Sequence, residues 1–203
     1  MYIRMTAIWG PMGWMTLHSI SVCYPDNPTS YDVEILNQFM EAFRGSITCP
    51  HCKDDFDSMF LKYKSNHPEW NMSKYHLFLA IIRIHNTVNR KLNKPSPKSV
   101  AESLQFLKNA TTYTTQQEFR QRYIEHVIRN WSSFQFTGSA AVMALQSAQK
   151  MQKINSEYWN LREGSYDIEF PESEIFFDTI HYAAGMIRPT GNVNSFIRKL
   201  WKR

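Results

Sequence analysis

An all-α fold is what this sequence predicts, on three observations. Apolar residues recur three and four positions apart, as along Leu77, Ile81, Ile84, Val88 and Leu92. No stretch alternates polar and apolar residues over the length of a strand. Helix start and stop signals punctuate the chain. Ser73, Ser96-Pro97 and the Thr115-Gln116-Gln117-Glu118 capping box open segments; Gly45, Lys94-Pro95 and Gly164 close them.

Taken in order, Trp9-Gly10-Pro11-Met12-Gly13 has the composition of a turn leading into a helix over about 12–22. Trp14, Leu17, His18 and Ser21 share one face of it, at offsets of three, four and seven. Tyr24-Pro25-Asp26-Asn27-Pro28 breaks that helix. A second spans about 31–44, with Ile35, Leu36, Phe39, Met40 and Phe43 inward and Gly45 at its end. A third starts at the Cys49-Pro50-His51-Cys52 run and reaches about 65, carrying Phe56, Met59, Phe60 and Tyr63 on one side. Ser73 caps a fourth over about 74–92, and Ser96 caps a shorter one over about 97–108.

Residues 110–114 form a threonine-rich joint, and the chain divides there into expected domains 1–112 and 113–203. Beyond the joint the capping box precedes Phe119, Tyr123, Val127 and Trp131. A further helix fits about 139–162, with Val142, Leu145, Met151, Ile154, Tyr158 and Leu161 inside. Another fits about 173–187, and a stub follows from 194. The aromatic residues of this half, among them Phe134, Phe136, Phe176, Phe177 and Trp201, are core residues by default.

Composition narrows the function. The net charge of +5 is spread thinly, with only Arg198, Lys199, Lys202 and Arg203 clustered, and no nucleic-acid-binding motif accompanies it. No apolar run approaches the ~20 residues of a membrane span. The first eight residues lack the apolar core of a secretory signal, so entry into the secretory pathway is not expected. Three cysteines cannot build a disulfide framework, and Cys23 stands apart from the other two as an expected core residue.

The Cys49-x-x-Cys52 pair therefore belongs to redox chemistry or to half of a metal site. Cys49 fits the N-cap of the third helix and Pro50 its first position. Sulfurs three residues apart on a first helical turn can meet in disulfide geometry. The partial positive charge of the helix terminus favours thiolate over thiol. On the fourth helix, His85 and Asn89 lie one turn apart beside the apolar stripe, as Trp14 and His18 do on the first. Rings and amides on two helical faces beside a cysteine pair suit a planar, polar cofactor, and hydrogen-bonding neighbours in a ligand-free fold would satisfy them as well.

Four motifs now stand in order: Trp9-Gly10-x3-Trp14-x2-Leu17-His18, Tyr24-Pro25, Cys49-x2-Cys52 with Phe56, and His85-Asn86-x-Val88-Asn89-x2-Leu92-x-Lys94-Pro95. Over about residues 5–100 the chain resembles the Erv/ALR family of FAD-linked sulfhydryl oxidases, especially the compact versions of large DNA viruses. The resemblance implies a four-helix bundle with a short fifth helix, FAD at its mouth, and an additional helical domain after it. It implies that Cys52 lies next to the flavin and that Cys49 exchanges with an incoming dithiol. Gly10, Trp14 and His18 would line the cofactor; His85, Asn89, Leu92 and Lys94 would surround its adenosine and phosphate portion, with Tyr24, Asn86 and Val88 as further members. Electrons would pass from a protein dithiol to FAD and then to O2, giving hydrogen peroxide. A homodimer through the FAD domain, and a host cytoplasm or virion setting for a viral enzyme, follow from the same likeness.

The chain departs from that pattern by having no cysteine after Cys52, hence no shuttle pair and no second structural disulfide. A separate dithiol protein, thioredoxin-like in kind, is the expected donor to Cys49. Two other readings compete. A thioredoxin-fold oxidoreductase without flavin would need a strand feeding the cysteines, where helical spacing precedes them instead. A structural zinc module would join Cys49 and Cys52 to two histidines such as His76 and His85.

Overall fold

In the computed structural model, residues 2–133 and 138–170 are described, the side chains of 2–8 excepted. The helices expected over 173–187 and from 194, the basic cluster, and Phe134, Phe136, Phe176, Phe177 and Trp201 lie outside the described residues. Among the described residues the structure is helical without strands. Its helices are α1 (Tyr2–Cys23), α2 (Ser30–Ser46), α3 (Pro50–Asn66), α4 (Lys74–Lys91), α5 (Val100–Ala110), α6 (Gln116–Trp131) and α7 (Ser139–Glu157), and a 3-10 turn follows at Trp159–Leu161.

The caps explain most of the boundaries. Thr29 and Asp32 form a capping box at α2, and Thr115 and Glu118 form the expected one at α6. Ser73 caps α4 through the His76 amide. Asn93 takes a left-handed φ of 52° and closes α4, its neighbour Lys94 donating its amide to the Asn89 carbonyl at 2.8 Å. Asparagine tolerates that conformation better than most residues.

Six helices close a ring. α1 packs on α4, α4 on α3, α3 on α2, α2 on α7, α7 on α6, and α6 back on α1, while α5 leans on α4 from outside. One core fills the ring, drawing Leu17 and Ile20 from α1, Leu36 and Phe39 from α2, Phe56 from α3, Ile81 from α4, Tyr123 from α6 and Met151 from α7. The opposite side of α4 builds a second, smaller core from Phe78, Leu79 and Ile82 with Val100 and Leu107 of α5. Thus α6 and α7, although they follow the joint at 110–114, share one hydrophobic core with α1 and α2.

Several expectations are corrected. Trp9 to Gly13 is not a turn: α1 runs through Pro11. The hydrogen bond that proline cannot donate falls upstream of the stretch from Thr16 to Tyr24, where every residue is buried between neighbours on both sides. Gly13 lets α6 approach, since a Cβ there would lie 3.2 Å from the Tyr123 ring. Gly45 does not end α2 but sits inside it, where a Cβ would meet the Ser147 hydroxyl of α7 at 2.5 Å. The same close seam explains α7. Its buried stripe is Ala141, Ala144, Ala148, Met151 and Ile154, whereas Val142 and Leu161, expected inside, are 54% and 78% exposed. α5 begins after Ser99 rather than Ser96. Leu92 is exposed and Val88 half-buried, because the end of α4 projects past the core.

Candidate active site

Cys49 and Cys52 are joined by a disulfide, with Cα atoms 5.2 Å apart. The local sequence builds it. Cys49 is extended at the N-cap of α3, Pro50 occupies the first helical position, and the Cys52 amide points at the Cys49 sulfur at 3.3 Å. That amide and the helix terminus favour negative charge on Cys49 once the bond is open. Both cysteines are half-buried, while Pro50 and His51 beside them are exposed. The disulfide therefore has one face against the protein and one toward incoming molecules.

On the protein side, one turn beyond Cys52, Phe56 is buried against Phe43, with ring centroids 5.6 Å apart. It also meets Trp14 of α1 at 5.9 Å. Trp14 stacks on His85 of α4 at 4.2 Å and 6° between planes. The His85 Nδ1 lies 3.0 Å from the His18 Nε2, so one ring donates and the other accepts. Burial pulls the His18 imidazole down to about 4. It also pulls His85 well down, and the positive charges of His18 and Lys94 act the same way. Both rings are neutral at physiological pH. The His18 Nδ1 is buried with no hydrogen-bond partner among the described residues, as is the Trp9 Nε1.

Near the disulfide, Asp57 of α3 bonds Arg44 of α2 at 2.6 Å and Lys53, the residue after Cys52, at 2.5 Å. Burial opposes charge on Asp57, but these two cations and their hydrogen bonds hold its carboxyl below the usual range. The network ties α2 to the first turns of α3.

The structure thus brings together Trp14, His18, His85 and the Cys52–Phe56 face of α3. Lys94 is exposed with its charge near His85, and Asn89 is half-buried with its carbonyl engaged by Leu92 and Lys94. Asn86 is buried on α4. A Cβ on Gly10 would meet nothing within 4 Å among the described residues. Tyr24 lies elsewhere, ten residues and about 15 Å along α1 from Trp14. Its ring is against Trp159 and its hydroxyl donates to the Asn71 carbonyl at 3.0 Å. Cys23 is buried beside Tyr24, its thiol pushed up by burial against the opposing pull of Arg120.

No three histidine, cysteine or acidic side chains converge on a metal position among the described residues. His76 is held by Ser73 at 2.8 Å, nine residues and about 13 Å from His85 along α4. Nor does a strand feed the cysteines, which follow α2. What remains is a disulfide able to exchange with thiols, backed by stacked rings and a buried nitrogen that lacks a partner.

Two contacts at this end have no signature in the sequence. The Lys53–Asp57 pair is visible as an i,i+4 spacing, but Arg44 reaches it only through the packing of α2 on α3. Trp131, at the tip of α6, donates its indole N–H to the Ser46 carbonyl at 2.8 Å, three residues before Cys49.

Residues 11–111 match the Erv1 / Alr family. Among curated proteins, the chain is similar to the mitochondrial FAD-linked sulfhydryl oxidase ERV1 of Saccharomyces cerevisiae, at 33% identity over 86 residues. That match covers 42% of this chain and 43% of the yeast protein. It is similar also to protein 096R of Invertebrate iridescent virus 3, whose name carries the FAD-linked sulfhydryl oxidase designation. Identity there is 30% over 89 residues, 43% of this chain and 58% of the viral protein. Protein R368 of Acanthamoeba polyphaga mimivirus, with the same designation, is 32% identical over 81 residues, covering 40% and 56%. The chain spans about half the length of the curated relatives it matches. No solved structure matches it significantly.

Proposed function

Residues 11–111 belong to the Erv1 / Alr family, and from that premise we propose that the chain is an FAD-dependent thiol oxidase that makes disulfides in protein substrates. The observation that carries this reading is the juxtaposition of a half-exposed Cys49–Cys52 disulfide with the Phe56, Trp14, His85 and His18 cluster behind it.

The residues present fit a flavin nucleotide. A stacked Trp14–His85 pair suits a planar ring, the unpartnered His18 Nδ1 and Trp9 Nε1 suit its polar edge, and no described residue crowds Gly10. Lys94 supplies positive charge for the diphosphate, with Asn86, Val88, Asn89 and Leu92 on the same end of α4. Bound there, FAD would supply the electron-pair acceptor for the cysteine dithiol and the route onward to O2, with hydrogen peroxide as the product.

The chain itself handles the thiols. A substrate thiolate attacks the Cys49 sulfur, the S–S bond breaks toward Cys52, and a mixed disulfide forms. The second substrate thiol then attacks its own sulfur in that bond, releasing an oxidised substrate and a Cys49 thiolate held by the Cys52 amide. Cys52 lies one helical turn before Phe56, whose ring meets Trp14, and in this reading it is the sulfur that would meet the flavin.

The donor in this reading is a separate dithiol protein, because the chain has no further cysteine beyond Cys52. Residues 1–112 carry the flavin chemistry in the four helices α1 to α4 with α5 as the short fifth, and 113–203 serve them. A homodimer belongs to the same reading. Since α6 and α7 flank α1 and α2, a second copy would meet the remaining faces. The two viral relatives support a viral setting, in host cytoplasm or virion. No described helix is long and apolar enough to cross a membrane.

A visible absorption spectrum of the purified protein, followed by oxygen uptake with dithiothreitol, tests the proposal. Yellow protein that consumes oxygen is expected. Cys52→Ser is expected to keep its colour and lose essentially all oxygen uptake. A colourless protein that takes up no added FAD would end this reading.

A further inference from the structure

We propose that Trp131 is a positioning residue for the redox disulfide, so that α6 sets how Cys49 meets the amino terminus of α3. The inference rests on the reading of Cys49–Cys52 as redox-active and adds to it a residue beyond the family's span of 11–111.

The connection between α2 and α3 is three residues long, Ile47, Thr48 and Cys49. Ile47 and Thr48 are buried, and Ser46, which ends α2, is fully buried. A helix ends with carbonyls that have no partner inside it, and a buried one needs a donor from elsewhere. For Ser46 that donor is the Trp131 indole, at 2.8 Å across 85 residues of sequence. The Trp131 ring is half-buried against the main core, which Cys49 and Cys52 also touch. The upstream anchor of Cys49 is therefore held by α6, and its downstream anchor is the first turn of α3.

This matters when the disulfide opens. The two sulfurs must separate, and Cys49 can stay at the Cys52 amide only if the connection behind it holds its place. Stabilising the thiolate stabilises the reduced pair and makes the disulfide a better oxidant of substrate thiols. Removing the indole N–H leaves a buried carbonyl unpaired, loosens the connection, and weakens that thiolate contact. The disulfide then becomes harder to reduce.

The test is the equilibrium of the full chain with glutathione. Two glutathione thiols become one glutathione disulfide while Cys49–Cys52 becomes two thiols, and trapped species are counted by mass after alkylation. Trp131→Phe keeps an aromatic ring and removes the N–H. A several-fold shift toward the oxidised protein is expected, up to about tenfold, or about 30 mV. Flavin content and melting temperature should stay near those of the unaltered protein. An unchanged equilibrium in a folded variant overturns the proposal.

Should Trp131→Phe not fold, the unaltered protein decides the matter. If Trp131 biases the redox state, reduction must in turn alter the surroundings of Trp131. A contact that favours the reduced pair is itself favoured by reduction, so amide exchange at Trp131, Ser132 and Ser133 is expected to slow on reduction, and unchanged or faster exchange overturns the proposal. Neither readout needs bound flavin, so a failure here is distinct from a failure to find an oxidase.

Discussion

Two buried polar clusters lie against α1, and they are finished to different degrees. Around Arg120 of α6, 1% exposed, the guanidinium is fully engaged. Its Nε donates to Asn155 at 2.8 Å, Nη1 to Ser19 at 2.6 Å, and Nη2 to the Trp159 carbonyl and Asn160 at 3.1 and 3.2 Å. The His18–His85 pair shares a single hydrogen bond and leaves one buried nitrogen bare. Burial without partners is costly, so a fold keeps it where something else completes the set. The first cluster ties α1, α6 and the end of α7 together, and the second is the one the proposed function assigns to a guest.

That contrast can be broken by substitution. Arg120→Met should produce the largest change, because it takes the donor from buried Asn155, from the Trp159 carbonyl and from half-buried Asn160. At about 1–3 kcal/mol for each buried acceptor left without a donor, a loss of about 3–5 kcal/mol in urea unfolding is expected; a loss below about 1 kcal/mol would mean that the cluster does not hold the helices. Asp32→Asn comes next. Its carboxylate accepts from Tyr158 at 2.5 Å and Arg162 at 2.8 Å and completes the α2 capping box. Burial works against its charge, but those bonds win and hold the carboxyl below its usual range. About 1.5–3 kcal/mol should be lost in the same assay.

At the other cluster the prediction inverts. His85→Ala removes the face on which Trp14 stacks, yet stability should fall by only about 1–2 kcal/mol. Flavin retained through purification should drop at least tenfold, read as the ratio of visible to ultraviolet absorbance. Full flavin content in this variant would remove the cluster from the binding site.

The smallest effect is on pH dependence. His18 is held neutral when folded, down to about 4 against an ordinary 6.5. Below pH 6.5 the unfolded chain binds a proton that the folded one refuses, so stability falls with pH through the window from 6.5 to 4. At pH 5.5 this amounts to roughly 1 kcal/mol in flavin-free protein. His18→Gln should make the profile shallower, with His85 keeping its own share, and a melting temperature of the unaltered protein constant from pH 7 to 5 would contradict the neutral pair.

Much of this was legible in the residues. The N-cap placement of Cys49, the Pro50 that follows, the Ser73 cap and the Thr115 capping box are local signals, and the structure bears each of them out. The family resemblance set Trp14, His18 and His85 around one cofactor, but their direct stacking and hydrogen bond show only in the fold. What escaped depends on distant partners. Gly45 looked like a helix end because nothing nearby reveals that Ser147 presses against it. Val142 looked like core, whereas the tight α2–α7 seam buries the small Ala141, Ala144 and Ala148 in its place. Pro11 looked like a break, but it lies upstream of the buried part of α1. The bond from Trp131 to Ser46 spans 85 residues and leaves no periodic trace.

The closed order of the helices has a consequence for synthesis. When a ribosome has released the first hundred residues, the motif-bearing segment is complete, yet the flanks of α1 and α2 are still bare. They stay so until α6 and α7, some fifty residues later, emerge and dock. A newborn chain thus carries its cysteine pair before it carries the walls that steady it, and truncation near residue 112 should yield a sticky, aggregation-prone fragment rather than a smaller oxidase.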